Sequence, residues 1–140
     1  MPVIRIIRRT SLAPAEVWER LTDWERHGAQ VPLTRTIIET EPPTRVGTRF
    51  TARTGVGRIT CDDPMEVVLW DPPRLVRIEK RGGAVTGWAE IELRPDPAGG
   101  TEVHWREDLT LPRLPHALTP LVTWTGRHLF THALTRLLRQ

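Results

Sequence analysis

The chain has 140 residues, 39% of them apolar and 26% charged, which suits one folded domain over 1–140 and is too hydrophobic for disorder. Its pI near 10.3 overstates a net charge of only +3: with no tyrosine, one cysteine and Lys80 as the single lysine among twenty basic residues, almost nothing titrates between histidine and arginine. Arginines alternate with acids, as in Arg77-Ile78-Glu79 and Arg106-Glu107, so the segregated positive tract that nucleic-acid binding requires is missing.

A lone Cys61 excludes an internal disulfide and a cysteine zinc cage. The opening "MPVIRIIRRT" reaches its basic cluster too soon for a secretory signal, and no run approaches eighteen apolar residues. A cytoplasmic protein with no stable membrane insertion is expected.

In chain order, Val3 to Arg9 is β-branched and edged by arginines, the pattern of a first strand. In "SLAPAEVWERLTDWERHG" the period changes: Val17, Leu21 and Trp24 recur at helical spacing, Pro14 suits a first turn and Gly28 a stop, and "DWERHG" forms a second short turn. From Arg35 to Leu111, strands are predicted at 34–40, 47–54, 57–61, 65–71, 75–81, 85–94 and 101–111, broken by Gly/Pro/Asp turns. Asp62-Asp63-Pro64 is read as one of those turns, and Cys61 as a small strand residue. Connections this short favour antiparallel neighbours. A long helix is predicted over 117–139, beginning near Pro120, with Leu118, Val122, Gly126, Leu129, Ala133 and Leu137 on one arc and Leu121, Thr125 and His132 along one flank.

This order resembles the SRPBCC superfamily, the START-like or birch-pollen-allergen helix-grip fold, and within it the polyketide cyclase/dehydrase-like group. The stretches that carry the resemblance are "APAEVWERLTDWERH" (13–27), "VGTRF" (46–50), "MEVVLWDPPRLV" (65–76), "GWAEIELRP" (87–95) and "GTEVHWRED" (100–108). The resemblance implies an α+β fold in which a curved antiparallel sheet of about six to seven strands wraps a long C-terminal helix. It also implies a cavity between the two, because one helix cannot pack every inward side chain. Members of the group include cyclases, dehydratases, lipid carriers and chaperone partners, so the fold does not name a reaction.

Alternation in strand 101–111 puts Val103, Trp105, Glu107, Leu109 and Leu111 on one face. Glu107 then lies inside beside an indole, where desolvation raises a carboxyl pKa toward general acid–base range; pairing with an arginine or a bulge that returns it to solvent is the other outcome. His132 is the second candidate for a catalytic pair. His128 and His132 have ligand spacing but no third ligand, and no dinucleotide, phosphate-loop or nucleophile-elbow motif occurs, so neither metal nor cofactor is expected. Segment 27–34 is read either as a lid with His27 at the rim or as a loop plugged into the core by Trp24. Alternation turns Trp88 outward with Glu90 and Glu92.

The expected function is binding of a hydrophobic small molecule, a lipid or an aromatic or polyketide-like compound, lined by Phe50, Trp105, Leu121, Thr125 and Leu129. The alternatives are a cyclase/dehydratase using Glu107, and a chaperone-like or regulatory protein-binding module. A monomer or a homodimer through an exposed edge strand is expected.

Overall fold

Most strand-to-strand connections are short turns, and the outcome is a meander bordered on one side by the first strand. The computed structural model describes residues 3–113 and 115–139. Its strands are β1 (Val3–Thr10), β2 (Thr34–Ile38), β3 (Arg49–Val56), β4 (Ile59–Asp71), β5 (Leu75–Lys80), β6 (Thr86–Pro95) and β7 (Thr101–Thr110). They form one antiparallel sheet in the order β1-β7-β6-β5-β4-β3-β2. Helices α1 (Pro14–Leu21) and α2 (Trp24–Ala29) follow β1, and α3 (Thr119–Leu137) follows a single 3-10 turn at His116–Leu118. The α+β helix-grip architecture expected from the sequence is the one observed.

Local chemistry accounts for the helix ends. Pro14 and Pro120 occupy first-turn positions, where a missing N–H costs no hydrogen bond. Asp23 caps α2 by accepting from the Arg26 amide at 3.3 Å. Arg20 of α1 donates to the carbonyls of Leu137 and Arg139 at 3.3 and 2.7 Å, meeting orphan acceptors at the end of α3 and tying the two helices together.

Two strand expectations are corrected. The segments 57–61 and 65–71 are one thirteen-residue strand, β4, that runs straight through Asp62-Asp63-Pro64. The Pro64 carbonyl accepts from the Arg81 amide at 2.7 Å, so the missing N–H of Pro64 also points to that side, just past the end of β5, where one return bond to Arg81 is forgone while the pairing with β3 is kept. Further along β4 the pairing shifts between Val67 and Leu69, a bulge that reverses the facing of the strand beyond it. Val67 is fully buried, Leu69 turns outward, and Trp70 turns inward onto Trp18 with ring centroids 5.0 Å apart.

The helix α3 is also rotated from its expected phase. Gly126, Ala133, Leu134 and Leu137 are buried, whereas Leu121 is 58% exposed and Thr125 and His132 are exposed. The buried arc extends toward Phe130, Leu134 and Leu138, on the flank opposite to the one chosen from the sequence.

The inner face of the sheet is divided along its strands. At one end Val67, Val76, Leu93 and Val103 pack beneath α1 and the last turns of α3 with Val17, Leu21, Leu134 and Leu137, nearly all below 4% exposure. The outer face is a charge ladder: Glu90 accepts from Arg77 at 2.6 Å and from Arg106 at 2.7 Å, and the Arg77 guanidinium sits 4.5 Å over the Trp88 ring. Trp88 therefore faces outward and covers a neighbouring strand. No described helix is long and apolar enough to cross a membrane.

Candidate functional site

Beyond Trp105 and Ile91 the inner face stops being filled, and a cavity of about 280 Å³ opens between the sheet, α2 and the middle of α3. Its aromatic walls come from four elements. Trp24 of α2 stacks on Phe50 of β3, centroids 4.7 Å apart and 11° from parallel, and Trp105 of β7 stacks on Phe130 of α3 at 5.7 Å. Gly28 lets α2 lie close to β2, since a Cβ there would come within 2.2 Å of Thr36 Oγ1, which donates to the Trp24 carbonyl at 2.8 Å.

Three charged side chains enter this apolar space by simple alternation. Val76, Ile78 and Lys80 share one face of β5; Asp63, Met65 and Val67 share one face of β4; Trp105 and Glu107 share one face of β7. Glu107 pairs in register with Ala89, and Lys80 with Met65, which leaves Asp63 diagonal to Lys80. The Lys80 ammonium donates to Asp63 Oδ2 at 2.6 Å and lies 3.6 Å from Met65 Sδ. Glu107 is 3% exposed, and its Oε1 accepts from the Trp105 indole N–H at a long 3.4 Å. Glu107 Oε2 and Asp63 Oδ1 are buried with no hydrogen-bond partner.

The electrostatics follow from this layout. Burial pushes the Glu107 carboxyl up to about 7, with the charges of Asp63 and Asp108 acting in the same sense and Lys80 and the Trp105 indole opposing it. Part of His27 stays accessible, but its ring packs against Trp24 and Trp105 at 5.8 and 5.5 Å, and burial lowers it to about 4. Its Nε2 is bonded to the Leu21 carbonyl. A carbonyl only accepts, so Nε2 carries the proton and Nδ1 keeps its lone pair.

Of the candidates named from the sequence, Glu107, Phe50, Trp105 and Leu129 line the cavity. His132, Leu121 and Thr125 do not: they lie on the exposed flank of α3, because the phase of that helix differs from the expected one. The pairing of Glu107 with His132 is therefore withdrawn, and His27 is the histidine that shares the cavity with Glu107. His128 is exposed and meets Trp124 edge-on at 4.3 Å, and no group of three potential metal ligands exists among the described residues. Segment 27–34 contributes His27, Gly28, Val31 and Thr34 to the wall, while Trp24 is buried at 5% exposure, so both readings of it describe part of the arrangement.

Asp63 and Lys80 escaped the sequence reading. The signal for Lys80 was present, since it continues the inward alternation of Val76 and Ile78 as the chain's single lysine. Asp63 was hidden because Asp-Asp-Pro carries turn chemistry as strongly as any tripeptide. Cys61, next along the same face, reaches the cavity at its exposed edge.

A sheet gripping one long helix around a largely apolar space defines a helix-grip protein with a cavity between the two. The family model described as "Polyketide cyclase / dehydrase and lipid transport" matches residues 6–140, and the chain belongs to that family, within the SRPBCC superfamily. The solved structure of TTHA0849 from Thermus thermophilus is similar, with a TM-score of 0.73 at 19% identity over 98% of this chain and 97% of that one. Ara h 8.0201 is similar with a TM-score of 0.69 at 13% identity, covering 98% and 97%. The di-domain ARO/CYC StfQ from the steffimycin biosynthetic pathway is similar with a TM-score of 0.67 at 14% identity, covering 96% of this chain and 49% of that one. At these identities the likeness is one of fold. No curated protein matches the chain.

Proposed function

We propose that this protein binds a small hydrophobic molecule in the cavity between sheet and α3. The observation that carries the reading is the cavity itself: about 280 Å³, walled by Trp24, Phe50, Trp105 and Phe130, with polar groups gathered at Asp63, Lys80 and Glu107. Apolar walls supply affinity and a few polar groups set orientation. That volume lies at the small end of ligand pockets, which run from about 300 Å³ upward, and this favours a molecule of one or two rings over a long acyl chain. A thermal-shift screen with aromatic and lipid probes tests it. A ligand at a hundred times its Kd stabilises by about 2.7 kcal/mol, and a broad library without one stabilising compound rejects the reading.

The second reading is an enzyme of cyclase/dehydratase type, and the pKa of Glu107 near 7 favours it. A carboxyl poised there gives or takes a proton near neutral pH, and the walls hold the substrate in a reactive shape. Under this reading Glu107→Gln retains affinity and loses turnover of a bound polyketide-like substrate; retained turnover removes Glu107 from the chemistry. The open cavity counts against a chaperone-like module with a collapsed interior.

A further inference from the structure

With Glu107 ionised, the polar wall of the cavity is short of one positive charge. Asp63 and Glu107 bring two carboxyl groups, and the charge of Asp63 acts on Glu107. Against them stands a single ammonium, Lys80, already engaged with Asp63 Oδ2 at 2.6 Å. Among the described residues no arginine lines the cavity. His27 does not supply the charge, because its Nε2–H is committed to the Leu21 carbonyl and its packing keeps the ring neutral.

The hydrogen bonding has the same gap. Asp63 Oδ1 and Glu107 Oε2 are buried acceptors without donors, a state that costs stability unless a partner enters. Filling either position takes an N–H or O–H group on the ligand. The rings around them, Trp24, Phe50, Trp105 and Phe130, present faces that attract cations.

These requirements select among ligand chemistries. A carboxylate or phosphate would add to the negative charge. A quaternary ammonium would bring charge but no N–H, leaving both oxygens unpartnered. We propose that the cavity takes a small primary or secondary amine on an apolar body of one or two rings, its ammonium partnered by Glu107 Oε2 and its body held by the aromatic walls. This rests on the binding reading above and specifies its ligand class.

Isothermal titration of naphthalen-2-ylmethanamine and naphthalen-2-ylmethanol, matched in shape and differing in the head group, tests the proposal at pH 7. The amine binds at least tenfold more tightly than the alcohol. It also releases about half a proton per complex, read by repeating the titration in buffers of different ionisation enthalpy, because the ammonium draws Glu107 into its ionised form. Glu107→Gln abolishes both the preference and the proton release, and its own thermal melt confirms folding. In the unmodified chain, amine affinity increases from pH 6 to pH 8. An alcohol that binds as tightly as the amine, or an amine that binds without proton release, overturns the ammonium proposal while leaving the cavity a binding site. If neither probe binds, the proposal falls, and the neutral aromatics of the thermal-shift screen decide whether the binding reading falls with it.

Discussion

Burial acts on Glu107 and His27 with opposite signs, and the consequence is measurable. Glu107 titrates at about 7 in the folded chain against an ordinary 4.5, so between those values the folded state holds a proton that the unfolded state has lost. Its contribution to stability falls as pH rises through that window. His27 titrates at about 4 against 6.5, so its contribution is present above 6.5 and lost as pH falls toward 4. Over the shared range the two slopes oppose one another. Urea unfolding at pH 5, 5.5, 6 and 6.5 should therefore show Glu107→Gln gaining stability with pH relative to the parent, and His27→Gln losing it. Each difference is bounded by about 1.4 kcal/mol per pH unit, and coincident slopes for all three proteins would disprove the burial assignments. The inward placement of Glu107 was readable from the alternation of Val103, Trp105 and Glu107, but whether its second oxygen met a donor depended on β4 and β5.

At the scale of elements, α3 shows where periodicity ends. Its sequence and the residues flanking it contain Leu118, Leu121, Val122, Trp124, Leu129, Phe130, Leu134, Leu137 and Leu138, so apolar residues surround the helix and several phases fit the pattern. Contact with α1, made through Leu134 and Leu137 and held by Arg20, selects one. Leu134→Ala should cost about 2–5 kcal/mol in chemical denaturation, as expected for a fully buried leucine. Leu121→Ala, on the exposed flank, should stay within about 0.5 kcal/mol. Equal costs would contradict the observed phase. The strand β4 teaches the complementary lesson, since Asp62-Asp63-Pro64 has the local chemistry of a turn and is extended because Arg49–Val56 pairs with it residue by residue from Ile59 to Glu66.

For the whole molecule, the division of the inner face into a packed end and an open end is the functional feature. Ala89 sits in the open end, opposite Glu107 and beside Ile78. Ala89→Leu should fill part of the cavity, leave the thermal midpoint within a few degrees of the parent, and remove the stabilisation by any compound found in the screen. A variant that still responds fully would place the binding site elsewhere. The charge ladder on the outer face plays no part in this, since its arginines are matched by Glu90 and Glu102 across neighbouring strands and by Glu92 along β6.

By itself the sequence determined the order of elements, the antiparallel meander, the two α regions and the superfamily, because turn chemistry and the change of period from 2 to 3.6 are local properties of the chain. It also offered an inward Glu107 by alternation, with a bulge returning it to solvent as the other outcome. Only the tertiary structure decided that β4 passes unbroken through a proline, that α3 turns His132 to solvent, and that Asp63, Lys80 and His27 share a cavity with Glu107. Each of those depends on a partner distant along the chain: the pairing with β3, the packing of α1, and the register of three strands. Local pattern leaves several solutions of nearly equal merit at such places, and contact between distant segments selects one.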